Sequence, residues 1–138
     1  MTASNRPSPE ARPFAVLSDL HAHLDALDKV LEVLDSLGVQ TIFVAGDIAS
    51  TGPDPLGVWT RLRDREARCV KGLGDSALCS VAPESLKPTN DEEREAAARF
   101  VKTRKDLGEL VLESIRRLPE RLRVPLMDGR EMLVVHGS

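Results

Sequence analysis

Aromatic side chains are scarce in this sequence. It has no tyrosine, one tryptophan and three phenylalanines, 3% of the chain. Few flat platforms remain on which bases could stack, which argues against a single-stranded nucleic acid as partner. Positive charge is not in excess either: 19 Lys and Arg against 22 Asp and Glu give a net charge of −3. Binding to a phosphate backbone needs the opposite balance, so nucleic-acid binding is not expected. Only two cysteines occur, Cys69 and Cys79. They form no disulfide framework, and their simplest role is that of small buried apolar residues in a reducing compartment. No apolar stretch approaches the ~20 residues of a membrane span, and the N-terminus lacks the hydrophobic segment of a secretion signal. The expected location is cytoplasmic, away from membranes.

What is present suits a soluble globular domain: 138 residues, 41% hydrophobic and 30% charged, enough chain for one buried core. Residues 1–13 are rich in Ser, Pro and charge without periodicity and read as a disordered tail; residues 14–138 read as one domain. The run Phe14-Ala15-Val16-Leu17 suits a short parallel strand covered on both faces, ending at Ser18. Leu24, Leu27, Val30, Leu31, Leu34 and Leu37 follow helical spacing up to Gly38, a natural helix-ending residue. A second strand, Thr41 to Ala45, completes a β-α-β unit with parallel strands. Asp54 is placed to cap a helix from Pro55 to about Arg65. Ala67 to Lys71 reads as a third strand, followed by a Gly72–Asp75 loop, and Ser76 to Lys87 is ambiguous between short helix and loop. Thr89 or Asn90 can cap a long helix with the apolar stripe Phe100, Leu107, Val111, Ile115 and Leu118, stopped by Pro119. Leu122 to Leu126 and Glu131 to Val135 flank Asp128-Gly129 as a hairpin. The pattern is an α/β fold.

Chemistry gathers at the ends of these strands. Asp19 and His21 follow the first, Asp47 the second, Gly72 to Asp75 the third, and His136 the last. Open α/β sheets place ligands beyond the carboxyl ends of their strands, so one edge could collect all four groups. In an extended segment Asp19 and His21 would point the same way and reach one ion. Carboxylate with imidazole suits zinc, manganese or iron better than calcium.

Taken together these motifs resemble the calcineurin-like metallophosphoesterases, whose pattern is Asp-x-His, Gly-Asp, Gly-Asn-His-Asp or Glu, His, and Gly-His-x-His. Asp19-Leu20-His21, Gly46-Asp47, Gly72-Leu73-Gly74-Asp75 and His136 match in that order. Ser18-Asp19-Leu20-His21 leading into Leu24-Asp25-Ala26-Leu27, Gly52-Pro53-Asp54-Pro55, Leu118-Pro119 and Val134-Val135-His136-Gly137-Ser138 resemble a small bacterial phosphatase and phosphodiesterase branch. The resemblance implies an incomplete β-α-β-α-β sandwich. It also implies a two-metal site that clamps a phosphate ester and activates water. Asp19 and His21 would bind the first metal, Asp47 would bridge, and His136 would bind the second. Several positions depart from the pattern. Leu73 replaces an asparagine ligand, Gly74 replaces a histidine that assists the leaving group, and no Gly-His-x-His follows His136. Ala22-His23 stands where Gly-Asn is usual; His23 reads either as a substitute imidazole or as a solvent-facing residue at a helix start. Asp75 reads as a remnant supporting the ligands or as a turn cap. The expectation is a divalent-metal phosphoesterase (Mn, Zn or Fe, at a single weak site) with weak or no activity, or else a non-catalytic interaction module on the same scaffold. A C-terminally truncated sandwich would also leave the Leu133 to Val135 strand exposed, so self-association or a partner chain is expected.

Overall fold

Side chains alternate across one central strand and sort the core into two layers. The computed structural model describes residues 12–137, and residues 1–11 of the expected tail lie outside them. The elements run β1 (Phe14–Leu17), α1 (Leu24–Ser36), β2 (Thr41–Val44), α2 (Pro55–Asp64), β3 (Arg68–Cys69), α3 (Leu73–Ser80), a 3-10 turn (Pro83–Ser85), α4 (Asp91–Arg116), β4 (Arg121–Pro125) and β5 (Glu131–Val135). β1, β2 and β3 form a parallel sheet in that order, while β4 and β5 pair antiparallel as a separate hairpin. On β2, Ile42 and Val44 turn to the helices, where they join Leu27, Leu31, Val58, Leu62 and Ile115. Phe43 turns the other way and packs with Val70 of the neighbouring segment and with Val124 and Val134 of the hairpin. The result is a sheet with helices on one face and a β-hairpin on the other. Among the described residues, no helix is long and apolar enough to cross a membrane.

The local signals that shape the elements are ordinary ones. Asp54 Oδ1 accepts the Gly57 N–H at 2.8 Å and caps α2, with Pro55 in the first turn. Asn90 Oδ1 accepts the Glu93 N–H at 2.8 Å and caps α4, while Thr89 bonds the Glu93 carboxylate instead. Gly38, at φ 70°, closes α1 as its spacing suggested. Asp128 and Gly129 (φ 85°) turn the hairpin, in a register that pairs Leu122 with Val134 and Val124 with Met132.

Four expectations need correction. β1 lies at the sheet edge and is not covered on both faces; Val16 is 49% exposed because no neighbour extends over it. β3 has two residues where five were expected, because the Gly72 to Asp75 stretch already begins a helix: α3 starts at Leu73. β4 is set one residue earlier than read. Finally, α4 is broken at Gly108, whose φ of 75° and ψ of 164° only glycine adopts without strain. The break shifts the phase of the buried stripe, so that Leu112 joins Leu107 and Ile115 in the core and Leu110 points to solvent.

Candidate metal centre

Beyond the last pairs of β1 and β2 the two chains stay locked together. The Asp19, His21 and Ala22 N–H groups donate to the carbonyls of Gly46, Asp47 and Ile48 at 3.1, 3.0 and 2.9 Å. This pairing holds an unusual backbone. Asp19, His21, Ala22, Asp47 and Thr51 all have positive φ (56°, 45°, 58°, 53° and 71°). A non-glycine residue in that region costs on the order of 1–3 kcal/mol, and such residues cluster at functional sites. Glu66 is the other non-glycine case among the described residues.

Asp19, Asp47 and His136 converge there, with one potential ligand atom from each lying within 4.8 Å of the others. Asp47 is the best fixed. Its Oδ1 accepts the Gly74 N–H at 2.9 Å, and its Oδ2 lies 3.5 Å from His136 Nε2. The loops approach so closely because of glycine. A Cβ on Gly72 would lie 2.2 Å from Asp47 Oδ1, and one on Gly46 (φ 90°) would lie 2.7 Å from His136 Nδ1. His136 Nδ1 donates to the Ala45 carbonyl at 2.7 Å. That bond leaves Nε2 as the lone-pair nitrogen facing the two carboxylates, the orientation a metal-binding imidazole requires. It also raises the His136 pKa above the usual range, helped by the nearby charges of Asp47, Asp19 and Asp75 and opposed by desolvation. Two carboxylates and one oriented imidazole fit a divalent cation of the zinc, manganese or iron type.

Asp75 stands behind this cluster, fully buried. Its carboxylate accepts N–H groups from Ile48 and Gly72, both at 3.0 Å, and from Ala49 at 3.3 Å. One side chain thereby ties the loop after β2 to the start of α3. Burial pushes the Asp75 pKa up, and the three N–H bonds pull it down. The group is therefore more than a turn cap: it fixes the loops that carry Asp47 and Gly74.

The remaining candidates are not among the three converging ligands. His21 was expected to point with Asp19, on the premise of an extended backbone. Positive φ at both residues breaks that premise. The His21 ring lies beside Asp19, with Nε2 3.6 Å from Oδ1, and its Nδ1 turns to Ser50 Oγ at 3.3 Å. His23 is exposed at the start of α1 and makes no side-chain capping bond. Leu73 points to solvent, 79% exposed. Gly74 has no room for a side chain, since a Cβ would lie 2.4 Å from Ser50 Oγ. Ser50, the Ala45 carbonyl and the Gly74 N–H are contributors that no sequence pattern pointed to. Both cysteines are free; burial pushes the Cys69 thiol up to about 12 and raises Cys79 as well, so neither is a ready nucleophile.

Comparison with known proteins bears on the family and the fold. The sequence profile of the calcineurin-like phosphoesterase superfamily domain matches residues 13–138. An uncharacterized protein of Methanocaldococcus jannaschii is 35% identical over 72 residues, covering 52% of this chain and 29% of that protein. A metallophosphoesterase from Sphaerobacter thermophilus superposes with a TM-score of 0.60 at 30% identity, over 79% of this chain and 42% of its own. The structure of a candidate diadenosine tetraphosphatase superposes with a TM-score of 0.68 over 95% of this chain and 53% of its own. At 22% identity the latter likeness shows the fold alone. The chain spans less than a third of the curated relative and about half of each solved chain.

Proposed function

The chain belongs to the calcineurin-like phosphoesterase superfamily, and on that premise we propose that it binds a divalent cation through Asp19, Asp47 and His136 and hydrolyses phosphate esters weakly. The observation that carries this reading is the convergence of those three donors within 4.8 Å at the carboxyl ends of the strands. A divalent cation held there supplies a Lewis acid for a phosphoryl oxygen and lowers the pKa of a bound water. The chain's own part is to aim the ligands. The Gly74 N–H fixes one oxygen of Asp47 and leaves the other for the cation, and the Ala45 carbonyl fixes the His136 tautomer. His21, beside Asp19 and half exposed, is placed to meet a substrate oxygen or to complete the ligand set after a small rotation.

Weak activity follows from positions 73 and 74. Leu73 offers no lone pair and faces solvent, so a second cation beside Asp47 and His136 lacks a donor from α3. Gly74 supplies no acid for a leaving group, a contribution typically worth about 10²–10⁴-fold. Turnover of bis(p-nitrophenyl) phosphate with manganese or zinc supplied tests the proposal. Slow hydrolysis that disappears in Asp47→Asn is expected. Fast metal-dependent turnover would contradict the assigned weakness, and slow turnover unaffected by Asp47→Asn would contradict the site.

The same two positions favour a second reading, a binding module that keeps the cation and has lost the chemistry. Cation binding without any turnover would select it. Exposed Leu133 and Val135 on the outer face of β5 support association with a second copy or a partner chain in either case.

A further inference from the structure

A hollow of about 370 Å³ opens beside the metal centre. His21, Asp47 and Gly74 line it next to the cluster, and Ala77, Leu78 and Phe100 give it an apolar wall. Arg99 sits on its rim. The apolar wall is built rather than incidental. α3 and α4 are joined through the last carbonyls of α3: Arg104 Nη1 donates to the Leu78 carbonyl, and Arg116 Nη2 donates to the Cys79 carbonyl at 3.1 Å. Those carbonyls have no partner inside the helix, so the two arginines both satisfy them and pin α4 over α3. Leu78 and Thr103 are both buried, and Phe100 packs against the core. The guanidinium of Arg99 has a loose 3.8 Å contact with Glu95 and is half exposed, so it can turn toward the hollow.

We infer that this hollow receives an apolar, ring-sized substituent of a phosphoester whose phosphoryl group sits at the Asp19–Asp47–His136 cluster, with Arg99 pairing a phosphoryl oxygen at the rim. The substrate class is then an aryl-type phosphoester rather than a small, fully polar sugar phosphate. The inference rests on the phosphoesterase reading for the position of the phosphoryl group. Three observations point the same way. The hollow shares Asp47 with the cluster and is lined beside it by His21, whose ring neighbours Asp19, so a group bound there continues directly from an ester oxygen at the metal. Ala77, Leu78 and Phe100 make one wall apolar, and burial of a ring against such a wall is favourable. Its single rim cation matches the charge an ester retains beside the cluster.

Binding of two phosphonates that are not hydrolysed tests this, measured calorimetrically on the full chain with and without zinc. Phenylphosphonate is expected to bind at least about tenfold more tightly than methylphosphonate, the scale of burying a ring-sized group. Ala77→Leu, which fills the hollow from α3, should abolish that preference while leaving methylphosphonate and zinc affinity unchanged. Ala96→Leu, on the exposed face of α4 at the same hollow, is a second variant that should fold even if the first does not. Arg99→Gln should weaken both phosphonates alike. Equal affinity for the two phosphonates in zinc-loaded protein, no binding of either, or a preference that survives both filling variants would overturn the inference. Failure of zinc to bind, with the phenyl preference retained, would instead overturn the metal reading and leave the hollow standing.

Discussion

The two sides of the metal cluster are held by different means. On one side Asp47, with 15% of its side chain exposed, takes an N–H from α3, and His136 is fixed by the Ala45 carbonyl just past β2, with buried Asp75 behind them. On the other side Asp19 is 56% exposed, and its side-chain bond comes from its sequence neighbour Ser18. His21 leans toward Ser50. The first side is organised by groups brought from elsewhere in the fold. The second relies on a backbone held at positive φ by pairing with the adjacent loop. Pre-organised groups bind a cation without further ordering, so the buried side should dominate affinity and stability.

The strongest way to break that comparison is to remove the support behind the buried side. Asp75→Ala would orphan the N–H groups of Ile48, Ala49 and Gly72. Each buried donor left unpaired costs about 1–3 kcal/mol, so a loss of roughly 3–5 kcal/mol is expected after partial relaxation. Urea denaturation measures it; a loss below about 1 kcal/mol would mean that the loops hold themselves.

A pH series sharpens the comparison from the His136 side. The folded pKa is raised, so the proton is bound more tightly by folded than unfolded chain. In metal-free protein the associated stability is full below the unfolded value of about 6.5 and is lost as pH rises through the folded value. Zinc competes with that proton for Nε2, so its affinity should rise with pH across the same window, by up to about tenfold per unit. His136→Asn should flatten both trends. Persistence of both in the variant would move the titration to another group.

The smallest effect lies on the strained side. Ala22 has φ 58°, whereas Ala26 lies within α1. Ala26→Gly should cost about 1 kcal/mol, the usual penalty in a helix interior. Ala22→Gly should stay within about 0.5 kcal/mol of zero, because relief of the left-handed backbone offsets the lost methyl and the freer unfolded chain. Equal losses in thermal melts would show that position 22 carries no strain.

Much of this layout was legible in the sequence, for identifiable reasons. The β-α-β unit followed from apolar runs and the 24–37 periodicity, and the Asp54 and Gly38 caps from side-chain chemistry. Asp19, Asp47 and His136 were legible because each polar residue ends an apolar strand. The rest depended on backbone angles and neighbours that a pattern does not carry. Gly108 interrupts α4 between two stretches whose apolar spacing each looks helical, so the break leaves no trace in the periodicity. The Gly72 to Asp75 stretch reads as a loop because glycine dominates it, yet Asp75 bonding back to Gly72 starts a helix. The exposure of Val16 depends on which strand lies beside β1. His21 stays beside Asp19 but outside the three-ligand cluster, turned to Ser50, because both residues leave the extended region.

Zinc titration of the purified chain, followed calorimetrically in parallel with Asp47→Asn and Asp19→Asn, tests the central claim most directly. The cluster of Asp19, Asp47 and His136 should bind one zinc per chain, lose it in Asp47→Asn and retain it more weakly in Asp19→Asn, in line with their burial. Zinc bound equally well by all three proteins would contradict the account, because the convergence of these side chains would then have no bearing on the cation.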